Sequence, residues 1–260
     1  MKLLISTGCF YKEPIEKTFY ISEACGFDGV EVILNELYHL TDAAERLLQL
    51  SRISKITALH APFAVSSSKE KIFSLKRSVE LAEEVRAETV VFHPPLKPVF
   101  DMAFWRWFKR RKWKELGSSR LCVENMPYLK LGPFRLNLFC IHRFQDLKRL
   151  SEAGLKIAFD TTHCGTSGIP LIEAFEEAGG TDTVHHIHLS DFRREKGEFV
   201  EHLFPGEGEL ELFEFLKHLK KTGYNKAITL EVSPRYLPED DRERIAKLKE
   251  FLARMRGVLS

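Results

Sequence analysis

Runs of apolar and β-branched residues recur along the chain, each followed by a stretch whose apolar positions fall at helical spacing. KLLIST at 2–7 predicts a first strand stopped by Gly8, a helix follows over 14–25 and ends at Gly26, and GVEVIL at 29–34 reads as the second strand. KITALHAP and ETVVFHPP give the third and fourth strands, each closing on a histidine with proline just beyond. Proline cannot continue a buried ladder, so it marks where strand becomes loop. Between these two, Ile72, Leu75, Val79, Ala82 and Val85 predict a helix over 69–86, with Ser67 and Glu70 spaced as a capping box. RLCVENM, KIAFDTTH, TVHHIHLSD and AITLEVSP supply strands five to eight, and a last helix over about 239–256 buries Ile245, Leu248, Leu252 and Met255. Parallel strands covered on both faces read as continuous apolar runs, as these do. Eight strands alternating with helices, without a long linker, predict an α/β fold: a single (βα)8 TIM barrel domain over residues 1–260. Two stretches break the rhythm. Residues 100–114 interleave aromatics with Arg and Lys, and 192–209 reads as a long loop holding His202 and PGEGE.

Polar residues close six of the apolar runs: His60, His93, Glu124, Asp160, His188 and Glu231, at intervals of 28 to 43 residues. In a parallel barrel such strand ends converge on one mouth. An isolated buried histidine is ordinarily a hydrogen-bonded core residue. Six in phase point instead to a metal site, because each carries a burial cost that pairing or coordination must offset. Asp160-Thr161-Thr162-His163 adds an imidazole on the turn after strand six, and His186 and His188 share one face of strand seven with His185 opposite. Mixed imidazole and carboxylate donors suit zinc or manganese better than calcium or magnesium.

Composition narrows the setting. The chain is 44% hydrophobic and 29% charged with a net charge of +2, which is globular and too mildly basic to imply nucleic-acid binding by itself. Five cysteines without CxxC spacing argue against a disulfide framework or a zinc ribbon and fit a reducing cytoplasm. No apolar stretch is long enough for a membrane span, no signal-peptide pattern opens the chain, and no obligate protein partner is evident.

LHAPF, FHPP, VEN, FDTTHCG, HLSD, PGEGEL and TLE, in that order and spacing, make the chain similar over nearly its whole length to the xylose isomerase-like barrel superfamily, which includes endonuclease IV and sugar isomerases and epimerases. The resemblance to endonuclease IV implies two or three zinc ions held by His60, His93, Glu124, Asp160, His163, His188, His202 and Glu231, with Glu124 and Glu231 as catalytic carboxylates. It implies hydrolysis of a phosphodiester, with DNA carrying abasic sites as the partner. Val200 stands where that family has an aspartate two residues before the loop histidine, leaving Glu198 or Glu201 as substitutes. The sugar enzymes use four ligands matching Glu124, Asp160, His188 and Glu231 around one divalent ion, often manganese, and GFDGVEV with Glu31 looks more like them. The alternative is therefore a sugar or sugar-phosphate isomerase or epimerase, with a small phosphorylated sugar as partner. His60 and His93 would be surplus to a one-ion isomerase, whereas phosphodiester hydrolysis gains from clustered ions.

Phe63 matches an intercalating position of endonuclease IV, but LNELYHL after strand two carries no equivalent of its arginine wedge. The 100–114 segment offers stacking and phosphate contacts for nucleic acid, or else is an amphipathic helix with Phe104, Trp107 and Phe108 inward. Cys164 reads as a packed thiol and Cys122 as packing beneath the site. Arg235 and Tyr236 read as substrate contacts or as an ordinary capped loop.

Overall fold

The computed structural model describes residues 1–65, 67–117, 120–132 and 134–259. Among these, eight strands close into an all-parallel barrel: β1 Lys2–Ser6, β2 Gly29–Ile33, β3 Ile56–His60, β4 Thr89–Phe92, β5 Leu121–Glu124, β6 Lys156–Asp160, β7 Val184–Leu189 and β8 Ala227–Leu230. Each strand pairs with the next in sequence, and β8 returns to β1 with Lys2 opposite Ala227.

The apolar runs belong to both faces of this wall. Outward residues such as Ile5, Val32, Leu59, Val90, Val123, Phe159 and Ile187 join the surrounding helices in one continuous core. Inward residues are smaller: Leu4, Ala58 and Ala227 pack together, and Val91, Cys122 and Ala158 form a second cluster. Above them the same inward positions become polar, and this sets the site. Because side chains alternate along a strand, the residue two after Ala58 is His60, two after Cys122 is Glu124, two after Ala158 is Asp160, and two after His186 is His188.

The helix Ser68–Glu84 opens as expected, with Ser67 Oγ accepting from the Glu70 amide, while the Glu70 carboxylate accepts from the Tyr38 hydroxyl. In the 100–114 segment, Phe104, Phe108 and Trp113 are buried and Trp107 packs against the core, while Arg106 and Lys109 to Lys112 are exposed. The amphipathic-helix reading holds, over Pro98–Lys109. Helices of a βα-barrel run back to the opposite end, so Arg110 to Lys114 lie near the start of β5, far from the mouth.

Residues 192–209 are not simply a loop. Asp191–Glu195 and Glu198–Leu203 pair as an antiparallel hairpin turning at Lys196 and Gly197, both at positive φ (50° and 88°). That geometry matches the twist of paired strands and favours glycine at the second position. A second small hairpin, Leu129–Leu131 with Phe134–Leu136, follows β5. No described helix is long and apolar enough to cross a membrane.

Candidate metal centre

Glu124 is the hub. It is 1% exposed at the end of β5, and both of its oxygens meet imidazoles. Oε2 lies 3.2 Å from His60 Nε2 and 3.3 Å from His93 Nε2. Oε1 lies 3.2 Å from His188 Nδ1 and 3.3 Å from His163 Nδ1. His188 Nδ1 is also 3.0 Å from Glu231 Oε2 and 3.8 Å from Asp160 Oδ2. Among the described residues, three of four such donor groups lie at the mouth, each with ligand atoms within 4.8 Å of one another: His60, His93 and Glu124; Glu124, Asp160, His188 and Glu231; and His163, Glu201 and His202. All eight residues singled out in the sequence thus meet at the mouth, and Glu201 joins them.

The surrounding bonds fix which nitrogen each ring presents. His60 Nδ1 donates to the Ala61 carbonyl at 2.8 Å, so Nε2 faces Glu124. His163 Nδ1 donates to the Asn125 carbonyl at 2.9 Å, leaving Nε2 for the third group. Asn125 also clamps the end of β6: its amide donates to the Asp160 carbonyl, and the Asp160 amide donates to Asn125 Oδ1 at 2.7 Å. Asp160 caps the helix Thr161–Ser167, with Oδ1 accepting from the His163 amide at 2.7 Å. Asp160 Oδ2 is buried without a hydrogen-bond partner among the described residues. A fully buried carboxylate oxygen left bare is costly, and a cation beside it removes that cost. The donor set therefore fits a divalent ion.

Electrostatics agree. Burial alone would raise the Glu124 pKa, but the His188 charge and hydrogen bonds from His163, His188 and His60 hold it well below the usual carboxylate range. Burial opposes the charge on Glu231 too, yet His188 holds its pKa down at about 2. Burial would lower His163, and Asp160 and Glu124 instead lift it to about 10. Without a cation, His60, His163 and His188 are held towards imidazolium by the neighbouring carboxylates, while burial holds His93 towards its neutral form. A divalent ion can take the place of those protons.

The third group depends on a backbone device. Neighbouring residues of a strand point to opposite faces, so Glu201 and His202 would ordinarily diverge. His202 has φ of +54°, a left-handed conformation that a non-glycine residue adopts at a cost of about 1 kcal/mol or more. That turn lets both side chains face His163. Glu198, at the tip of the hairpin, pairs with Glu195 and stays exposed. Glu201, rather than Glu198, is therefore the acid beside the histidines.

Asp191, in the HLSD segment, ties this loop down. Its Oδ1 accepts from the Phe192 and Leu210 amides and its Oδ2 from the Gly206 and Gly208 amides, at 2.8 to 3.1 Å. A Cβ on Gly208 would collide with the Asp191 carboxylate and the Phe192 carbonyl, which explains that glycine of PGEGE. Asp191→Ala is expected to cost about 3 to 5 kcal/mol in urea denaturation, since several bonds to a buried charge disappear together. A loss under about 1 kcal/mol would show that the loop is held otherwise.

Other expectations resolve simply. Cys164 is buried, with a thiol pKa that burial pushes far up, and Cys122 sits below Glu124 with its pKa raised by burial to about 12. Both are packed thiols. Arg235 stacks over Tyr236 in the short 3-10 turn Pro234–Tyr236, which adjoins the cavity that opens beside Phe63. Phe63, 47% exposed, stacks on His93 with ring centroids 5.4 Å apart and meets His60 edge-on. A cavity of about 850 Å³ opens beside it, reaching Glu231 and His202 and lined by Asn35, Glu36, Glu13 and Ser233. Among its described lining residues Arg46 is the one Lys or Arg, and it is paired with Glu16.

The sequence profile of the xylose isomerase-like TIM barrel family matches residues 19–255. The chain belongs to that family. Among relatives, the uncharacterized protein Rv0498 of Mycobacterium tuberculosis is 26% identical over 271 residues, covering 90% of this chain and 89% of its own. Among solved structures, a D-tagatose 3-epimerase-like protein superposes with a TM-score of 0.74 at 22% identity, over 100% of this chain and 98% of that one. The IOLI protein with a binding zinc atom gives 0.73 at 15% identity, over 100% and 98%. Endonuclease IV from Thermus thermophilus gives 0.65 at 19% identity, over 99% and 100%. At such identities these structures establish the fold. Members of this family are mostly enzymes, isomerases, epimerases and endonuclease IV among them.

Proposed function

We propose that this family member is a multinuclear, zinc-dependent phosphoester hydrolase of the endonuclease IV kind, acting on abasic DNA or a related phosphodiester. The observation that carries this reading is the double use of Glu124, whose Oε2 meets His60 and His93 while its Oε1 meets His188. A carboxylate with each oxygen in a different donor group would suit a bridge between two ions, were both bound. A one-ion enzyme needs only Glu124, Asp160, His188 and Glu231, and leaves His60 and His93 without a task. His163, Glu201 and His202 would hold a third ion. When bound, such ions polarise a phosphoryl oxygen and lower the pKa of water to about 7.

The protein's own groups do the rest. Glu231, its side chain 18% exposed, borders the cavity and is the carboxylate placed to take a proton from an attacking water. Glu124 is sealed below and organises the donors. Phe63 stands at the rim, where an aromatic face can stack on a base.

A second reading, a divalent-metal sugar isomerase or epimerase, is favoured by the cavity, whose acids and paired Arg46 suit a polyhydroxyl ligand better than a polyanion. In that case Glu124 and Glu231 would exchange the proton at carbon.

Elemental analysis and two assays separate the readings. The hydrolase is expected to hold two or more zinc ions per chain and to nick duplex DNA at an abasic site. His60→Ala should remove one ion and slow cleavage at least about a hundredfold, about 2.7 kcal/mol in the barrier. One ion per chain, inertness on such DNA and interconversion of ketoses would hand the function to the isomerase.

A further inference from the structure

Beneath the mouth lies a polar layer that the donor groups do not use. Glu31 on β2 is fully buried inside the barrel, with both oxygens aimed at histidines of β7. Its Oε2 lies 2.6 Å from His186 Nε2 and its Oε1 3.0 Å from His188 Nε2. Thr229 Oγ1 on β8 donates to the same Oε2 at 3.2 Å. The contact between His188 and Glu31 is off the ideal hydrogen-bond line, yet neither His188 Nε2 nor Glu31 Oε1 has another partner among the described residues. His186 Nδ1 is buried without a partner as well, so a proton there would have no acceptor and belongs on Nε2, which faces Thr229 Oγ1 at 2.8 Å and, beyond it, Glu31 Oε2.

Glu31, His186 and His188 are close enough to suggest an ion of their own. The 2.6 Å spacing argues against it: two donors on one tetrahedral ion with bonds of about 2.0 to 2.1 Å stand about 3.3 Å apart. This spacing is that of a close charged contact, and the same His186 Nε2 also lies 2.8 Å from Thr229 Oγ1. His188, meanwhile, turns its other nitrogen, Nδ1, to Glu124, Glu231 and Asp160.

We propose that Glu31 is the positioning residue of the metal centre, its Oε1 facing Nε2–H of His188 and its Oε2 held by Thr229 Oγ1 beside His186, so that His188 presents Nδ1 as the ligand atom. The inference rests on the metal reading above and adds a residue outside every proposed donor set. A carboxylate suits this place because its Oε1 faces a donor on His188 and its Oε2 accepts from the Thr229 hydroxyl beside His186. Glutamine at 31 offers one acceptor oxygen and one NH2, so either His188 Nε2–H or the Thr229 hydroxyl loses its acceptor. A negative charge held under His188 also strengthens that imidazole as a donor to a cation, and partners of this kind are worth about 10- to 100-fold in metal affinity.

The test uses zinc as the probe on the intact chain. In competition against a chelator, Glu31→Gln is expected to bind its tightest zinc about 10- to 100-fold more weakly than wild type. In the zinc-loaded wild type, the nitrogen-15 shifts of His188 are expected to show Nδ1 on zinc and Nε2 carrying a proton. A purely structural Glu31 would lower the melting temperature of the variant and leave its zinc affinity within about threefold of wild type, which would overturn the proposal. His188 bound through Nε2 in the wild type would overturn it too, whether or not the variant folds. A wild type that takes up no zinc would remove the metal reading itself. A zinc-binding wild type with an unaffected variant removes only this inference.

Discussion

Glu124→Gln is expected to abolish binding at two of the three donor groups at once and to lower activity at least about a thousandfold, about 4 kcal/mol in the barrier. The reason is geometric. Four imidazoles, His60, His93, His163 and His188, lie within 3.3 Å of this one carboxylate. Glutamine keeps the shape but loses the charge and one acceptor oxygen, so it cannot bridge two cations. Metal content read beside activity decides the matter. Glu231→Gln provides the contrast, since it touches His188 and leaves the His60 and His93 group intact. A Glu124→Gln protein that keeps wild-type zinc content would refute the bridging role outright.

The second large effect is a reversal of pH dependence by zinc. Without metal, His163 carries a pKa raised from 6.5 to about 10, opposed by burial and driven by Asp160 and Glu124. A raised histidine stabilises the fold fully below its unfolded pKa and loses that contribution as pH climbs through the folded value. The metal-free protein should therefore lose stability between pH 6.5 and about 10. At about 1.4 kcal/mol per pH unit the ceiling is roughly 5 kcal/mol. Asp160, whose pKa burial raises above 3.8, loses its own contribution in the same sense but from that lower pH upward. Zinc needs these same groups deprotonated, so its binding releases protons and tightens as pH rises. Thermal scans at about pH 6.5 and about pH 8.5, with and without zinc, should show a melting temperature that falls with pH in its absence and a zinc-induced rise that is larger at the higher pH. A flat metal-free profile together with a pH-independent response to zinc would contradict this account.

Much of the barrel is legible because its local and global requirements agree. ITALH and LCVE are strands in any context that buries both faces, and an inward residue two positions past a small apolar one must reach the mouth. The period of two along each strand therefore announces the donors as well as the core. The stretch 192–209 reads as loop because its apolar residues are few, although Lys196-Gly197 is a hairpin turn signal in plain view. Asp191 is invisible as an anchor, since its four amide partners come from a loop up to 19 residues away. The basic run 106–114 suggests nucleic acid, but the direction of its helix carries it to the far end of the barrel. Glu201 is one of two substitutes for the missing aspartate, and only the left-handed backbone at His202 chooses between them.

The sequence alone determined the eightfold βα rhythm and which side chains crowd the mouth, because hydrophobic periodicity and strand alternation are properties of a few neighbouring residues. Tertiary structure alone decided how those side chains divide among donor groups, that Glu124 is shared, and that Glu31 lies under His188. Those facts depend on how strands distant in sequence are staggered around a closed barrel, and no local pattern encodes the distance between the ends of β2 and β7.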